Sequence, residues 1–104
     1  GTQFDTASNI NSLANGNFVI SGHTRSNDGD VTNGLGLNDV WVLVIDDFGT
    51  IQYEKTIGGS NLDFANHGIE TTNKELLIVG STESTDVDLS QNLGSKDLLI
   101  IKIK

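Results

Sequence analysis

The chain has 104 residues, in which Asp and Glu outnumber Lys and Arg by 14 to 6, with no cysteine and no methionine. An acidic surface repels phosphate backbones and anionic headgroups, which disfavours nucleic acid as a partner, and the lack of cysteine excludes both a disulfide framework and a thiolate metal site. No apolar run approaches the roughly 20 residues of a membrane-spanning helix, and no basic-then-apolar signal segment opens the sequence; the start at Gly1 and the missing methionine point to a processed product or a segment of something longer.

In chain order, Thr6–Leu13, Phe18–Thr24, Asp39–Asp46 and Ile51–Ile57 read as β-strands, being rich in β-branched residues and bounded by turn chemistry. Asn15-Gly16 and the Asp46-Asp47-Phe48-Gly49 stretch supply tight hairpin turns, whereas Ser26 to Asn38 is a longer loop of Gly, Asn and Asp. Farther on, Leu76-Leu77-Ile78-Val79 and Leu98-Leu99-Ile100-Ile101 repeat the unbroken apolar character of Val40–Ile45. Such runs predict a sheet covered on both faces. Ala7-Ser8-Asn9 and Ala65-Asn66-His67-Gly68 are small or polar instead, as suits a crowded strand near an axis. Helical three-and-four spacing of apolar residues is absent.

Shifting the sequence by 58 residues superposes Gly1 on Gly59 and aligns 46 positions to Lys104 without a gap. The identical pairs include Asp5/Asp63, Ala7/Ala65, Gly22/Gly80, Thr24/Thr82, Ser26/Ser84, Asp28/Asp86, Asp30/Asp88, Leu35/Leu93, Gly36/Gly94 and Asp39/Asp97. A duplicated unit of this size cannot bury its own apolar surface, so residues 1–57 and 58–104 must share a core or borrow one. The expected fold is all-β: two tandem four-stranded antiparallel meanders, stacked as β-propeller blades, the second lacking its outer strand. A parallel β-helix and a seven-stranded sandwich are the rival folds; shorter coils count against the first and the gapless period against the second. Two blades do not close a ring of the usual 4–8, and a sheet face of about 19 by 17 Å leaves roughly 300 Å² bare at each end. The expected partners are therefore further propeller repeats of a longer chain or identical copies, with a protein or glycan as ligand.

The stretches Gly58-Gly59-Ser60, Asp63, Ala65, Leu77–Ser84 and Lys96–Ile103 resemble the bacterial β-propeller repeat often called SBBP. Ser26–Val31 followed by Asp39 and Trp41 is similar to units of the secreted or surface-attached repeat proteins of Bacteroidetes. The resemblance covers nearly the whole chain and implies a propeller fold and an extracellular or cell-surface bacterial setting; it is unspecific for function, since such repeats serve as scaffolds, lectins and enzymes. The second unit departs from the pattern with Val87 for Gly29 and Leu99 for Trp41.

The most suggestive chemistry is Asp28, Asp30 and Asp39, repeated as Asp86, Asp88 and Asp97. Carboxylates at alternate loop positions around Gly29 are how calcium loops present oxygen ligands, but Asp, Asn and Gly are also ordinary turn formers, and the full calcium motif is missing. Both readings stand on sequence alone, with no other cofactor indicated. Asp5 and Asp63 read as hydrogen-bonding residues at the first strand of each unit. His23 and His67 fall at non-equivalent positions, and Trp41 reads as a core residue. With no nucleophile motif in view, the expected function is a non-enzymatic scaffold or adhesive interaction module, the alternative being a carbohydrate-binding lectin built from oligomerised two-blade chains.

Overall fold

The computed structural model of the protein describes residues 1–88 and 95–104. Leu93 and Gly94, two of the residues in the self-match, lie outside that range. Among the described residues seven strands make two antiparallel sheets, and there is no helix. In the first sheet β1 (Asp5–Ser12), β2 (Phe18–Thr24), β3 (Asp39–Ile45) and β4 (Ile51–Ile57) lie in chain order; in the second, β5 (Asp63–Glu70), β6 (Leu76–Thr82) and β7 (Asp97–Ile103) do the same. A sequential meander is what short polar connections between β-branched runs produce.

Three tight hairpins share one geometry. Leu13 N–H donates to Asn17 O (2.8 Å), Asp46 N–H to Thr50 O (3.0 Å) and Thr71 N–H to Glu75 O (2.8 Å). The fourth residue of each turn is left-handed: Gly16 at φ 90°, Gly49 at φ 84° and, in place of a glycine, Lys74 at φ 62°. The pairing of β1 with β2 slips between Ala7 and Asn9, and that of β5 with β6 between Ala65 and His67. Gly22 and Gly80 face these bulges, where a Cβ would collide with the carbonyl oxygens of Thr6 and Phe64.

The sheets pack face to face, β5 lying against β1, β2 and β3. Val19, Val40, Val42 and Ile57 of the first sheet form one buried cluster with Ala65, Ile78 and Leu99 of the second, flanked by Leu13, Leu76, Ile101 and Ile103. Burying each Val, Ile or Leu of the cluster is worth roughly 1.5–3 kcal/mol. Gly68 gives β5 its close approach, since a Cβ there would lie 3.3 Å from Ser21 Oγ.

Two-sided cover, anticipated from the apolar runs, holds along most of β3, where Val40, Val42, Leu43 and Val44 are all buried, but not along β7. Along β7 burial alternates: Leu99 is 6% exposed, but Leu98 is 69% and Ile100 61% exposed. One face of the second sheet therefore seats on the first, and its other face is open. Trp41 is likewise outside the buried cluster. Alternating with Val40 and Val42, it lies half-buried on the opposite face of the first sheet, where its Nε1–H donates to Glu54 Oε1 (2.9 Å). Thr32, from the long loop, donates to the other oxygen of Glu54 (2.6 Å), so that loop reaches the same face.

Candidate functional site

The polar residues repeated between the two units converge on the strand starts. Asp5, at the head of β1, accepts hydrogen bonds from Thr24 Oγ1, Ser26 Oγ (3.0 Å) and the Gly1 amino group (2.6 Å). Asp63, at the head of β5, accepts the equivalent three, from Thr82 Oγ1 (2.5 Å), Ser84 Oγ (2.8 Å) and Gly59 N–H (2.8 Å). Around each carboxylate the same secondary bonds recur. Ser26 N–H donates to Thr24 Oγ1 and Gln3 N–H to Ser26 Oγ; Ser84 N–H donates to Thr82 Oγ1 and Asn61 N–H to Ser84 Oγ.

This hub ties the segment before each unit's first strand to the loop after its second strand. Three donors engage both carboxylate oxygens without solvent, which is how Asp63 can be fully buried. Burial raises the carboxyl pKa of Asp5, but hydrogen bonds from the amino terminus, Thr24 and Ser26 outweigh it and leave the group below the usual carboxylate range.

The six carboxylates singled out from the sequence do not form one centre. Asp28 accepts from Thr2 N–H (2.8 Å) and Thr2 Oγ1 (2.7 Å), and Asp86 accepts from Ser60 N–H (2.8 Å). Those bonds hold both carboxyls below their ordinary pKa, the backbone donor contributing most in each case. Asp30 is exposed at the loop surface. Asp88 brackets Gly58, accepting from its N–H (3.2 Å) and donating its own N–H to Gly58 O (3.1 Å). Asp97 Oδ1 accepts the Leu98 N–H (2.9 Å). Among the described residues no three His, Cys, Asp or Glu side chains are placed to hold a metal ion together.

Asp39 differs from the other five. Its Oδ2 accepts from Leu35 N–H (2.8 Å) and Gly36 N–H (3.2 Å), but its Oδ1 is buried without a hydrogen bond. Burial drives its carboxyl pKa up; the Leu35 and Gly36 amides pull it down, and the negative charges of Asp63 and Asp88 add to the rise. The charged neighbours come from the other sheet because Gly58 runs between them: a Cβ on Gly58 would lie 2.6 Å from Asp63 Oδ2 and 2.8 Å from Asp39 Oδ1.

Beside this point the two sheets are latched. Asn38 and Leu62 form a parallel bridge, with Asp63 N–H donating to Asn38 O (2.7 Å) and the buried Asn38 Nδ2 donating to Asp63 O (2.6 Å). Asn38 is Lys96 in the second unit, so the self-match could not reveal the latch. The Asp-Thr-Ser hub was visible there as three identical pairs, although which residues bond to which was not.

His23 packs edge-on against Phe64 with ring centroids 4.9 Å apart, its pKa lowered by burial and then by the Arg25 charge. His67 Nε2 lies 3.2 Å from Asn11 Nδ2. A groove of about 420 Å³ lies between β4 and the edge of β7, lined by Tyr53, Lys55, Ile57, Asp88, Ile101 and Lys102 among others. It lies where the second sheet, one strand narrower, leaves β4 uncovered. In comparisons with known proteins, the chain matches no family model and no curated protein sequence.

Proposed function

We propose that the chain is a β-propeller segment of a secreted or cell-surface bacterial protein and serves as a scaffold or adhesive interaction module without enzymatic activity. The observation that supports this most is the use made of the repeated polar residues. Asp5, Asp63, Thr24, Thr82, Ser26 and Ser84 bind one another and the backbone at the strand starts, so the features common to both units build the fold. The bacterial and extracellular setting comes from the SBBP-like resemblance, and the blade assignment from four-stranded meander order together with face-to-face stacking.

A lectin is the second reading. It is favoured by Tyr53, partly exposed in the polar groove beside β7, where an aromatic face and flanking Lys55 and Asp88 suit a sugar. A glycan array combined with turnover assays on hydrolase and lyase substrates separates the classes. The scaffold reading expects neither saturable sugar binding nor turnover. Sugar binding lost in Tyr53→Ala would establish the lectin, and turnover by the purified chain would overturn both.

A further inference from the structure

The seated pair of faces and the open pair of faces are the same two surfaces. The face of the second sheet that packs on the first carries Ile78, Leu99 and Ile101, whose counterparts 58 residues earlier are Ile20, Trp41 and Leu43. Those three lie on the face of the first sheet turned away from the shared core; Leu43 is buried there under the chain itself and Ile20 and Trp41 are half-buried, so the open part of this face is its β1 side, where Ile10 is 56% exposed. Conversely, the receiving face of the first sheet carries Val19, Val40 and Val42, whose counterparts are Leu77, Leu98 and Ile100. These are on the open face of the second sheet. Each end of the chain thus presents the complement of the other, already tested by the contact between its own two sheets.

We infer that the open face of the second sheet receives the open face of the first sheet of a second copy of this chain, head to tail. The inference rests on the blade reading above. The contact is heterologous, so it repeats from copy to copy, closing a ring if the rotation allows and otherwise growing as a stack. Ile10 stands where the seated sheet has Gly68, and Val79 where the receiving sheet has Ser21, so the copy contact exchanges a close small-residue approach for a wider apolar one. Lys102 is on the open face of the second sheet, with Glu75 Oε1 3.5 Å from its ammonium. Faces of roughly 300 Å² bury about 600 Å² in total, below the roughly 1,200 Å² of a stable standard interface, so one contact alone is weak. Both copies carry a net charge of −8, and added salt therefore strengthens an apolar contact that repulsion opposes.

Sedimentation equilibrium up to about 0.5 mM protein, a concentration suited to so small an interface, tests this with Ile10→Lys and Ile100→Lys. Both side chains are exposed, and circular dichroism checks that each variant is folded. The wild type is expected to gain mass with concentration, more so at higher salt. Each variant alone is expected to lose self-association by on the order of 100-fold, because a charge would be buried unpaired. An equimolar mixture of the two, with one intact face each, is expected to form a one-to-one heterodimer and stop there. A monomeric wild type, an Ile10→Lys chain that still pairs with itself, or a mixture that stays monomeric would each overturn the head-to-tail contact. Hydrogen exchange at the Asp63 amide in the same samples separates the two levels: protection with a monomeric wild type removes only the copy contact, whereas lost protection removes the stacked-sheet reading beneath it.

Discussion

Replacing Asp63 by Asn preserves the shape of the side chain but turns one acceptor into a donor at a point where Thr82, Ser84 and Gly59 all donate. A buried mismatch of this kind costs about 2–3 kcal/mol, and urea denaturation of Asp63→Asn should show a loss of that size. Val87 gives the opposite opportunity. It holds φ 58°, the left-handed conformation that Gly29 holds at φ 67° in the first unit, and a β-branched residue is strained there. Val87→Gly should stabilise by about 1 kcal/mol, raising Tm by several degrees.

The pH dependence has contributions of opposite sign. Asp39 titrates above its unfolded value because of burial first and then the Asp63 and Asp88 charges, against the pull of two amides. The folded state therefore binds that proton more tightly, and stability rises as pH falls from neutral through the folded pKa, levelling off below the unfolded one. Asp28 and Asp86 are held low by the Thr2 and Ser60 donors, and their contributions, present above the unfolded carboxylate pKa, are lost as pH falls through the folded values. His23, lowered by burial and then by the Arg25 charge, loses stability as pH falls through the unfolded imidazole range and opposes the Asp39 rise, so the Asp39 part is read as the difference between variant and wild type. In Asp39→Asn the rise on the acid side of neutrality should flatten while the loss at lower pH persists, as measured by Tm across a pH series.

At the scale of elements, the Asn38 latch and the bulge glycines decide how the strands meet. Asn38→Ala would leave the Asp63 carbonyl without its buried donor and should cost about 1–2 kcal/mol. Gly80→Ala would drive a Cβ into the Phe64 carbonyl and should cost more, since backbone has to shift on both strands. Strand positions were legible in the sequence because turn residues and β-branched runs are local signals. The runs Phe18–Thr24 and Ile51–Ile57 are β2 and β4 to the residue, and Asp39–Asp46 is one residue longer than β3. Which faces are covered was not legible. Continuous apolar runs such as Leu98–Ile101 look alike whether the second face is covered within the chain or left open, and only the arrangement of sheets distinguishes them. The carboxylates were harder still, for a turn aspartate and a ligand aspartate have the same sequence. Asp39 and Asp63 meet across a seam between units, a relation that no spacing within one unit encodes.

For the whole molecule, the decisive feature is that neither sheet has a core without the other. Val19, Val40 and Val42 are buried only because Ala65, Ile78 and Leu99 lie over them. Asp28, Asp39 and Asp86 accept backbone amides as turn formers do, and on that reading chelator is expected to leave Tm unchanged, as calorimetry with and without EDTA would show. The shared layer predicts that the sheets unfold together. Trp41, the single tryptophan, reports on the first sheet by fluorescence, and hydrogen exchange of the β6 and β7 amides reports on the second. Followed through a urea titration, the two probes should give coincident transitions with one midpoint; a second sheet that melts while Trp41 keeps its native signal would contradict a common core.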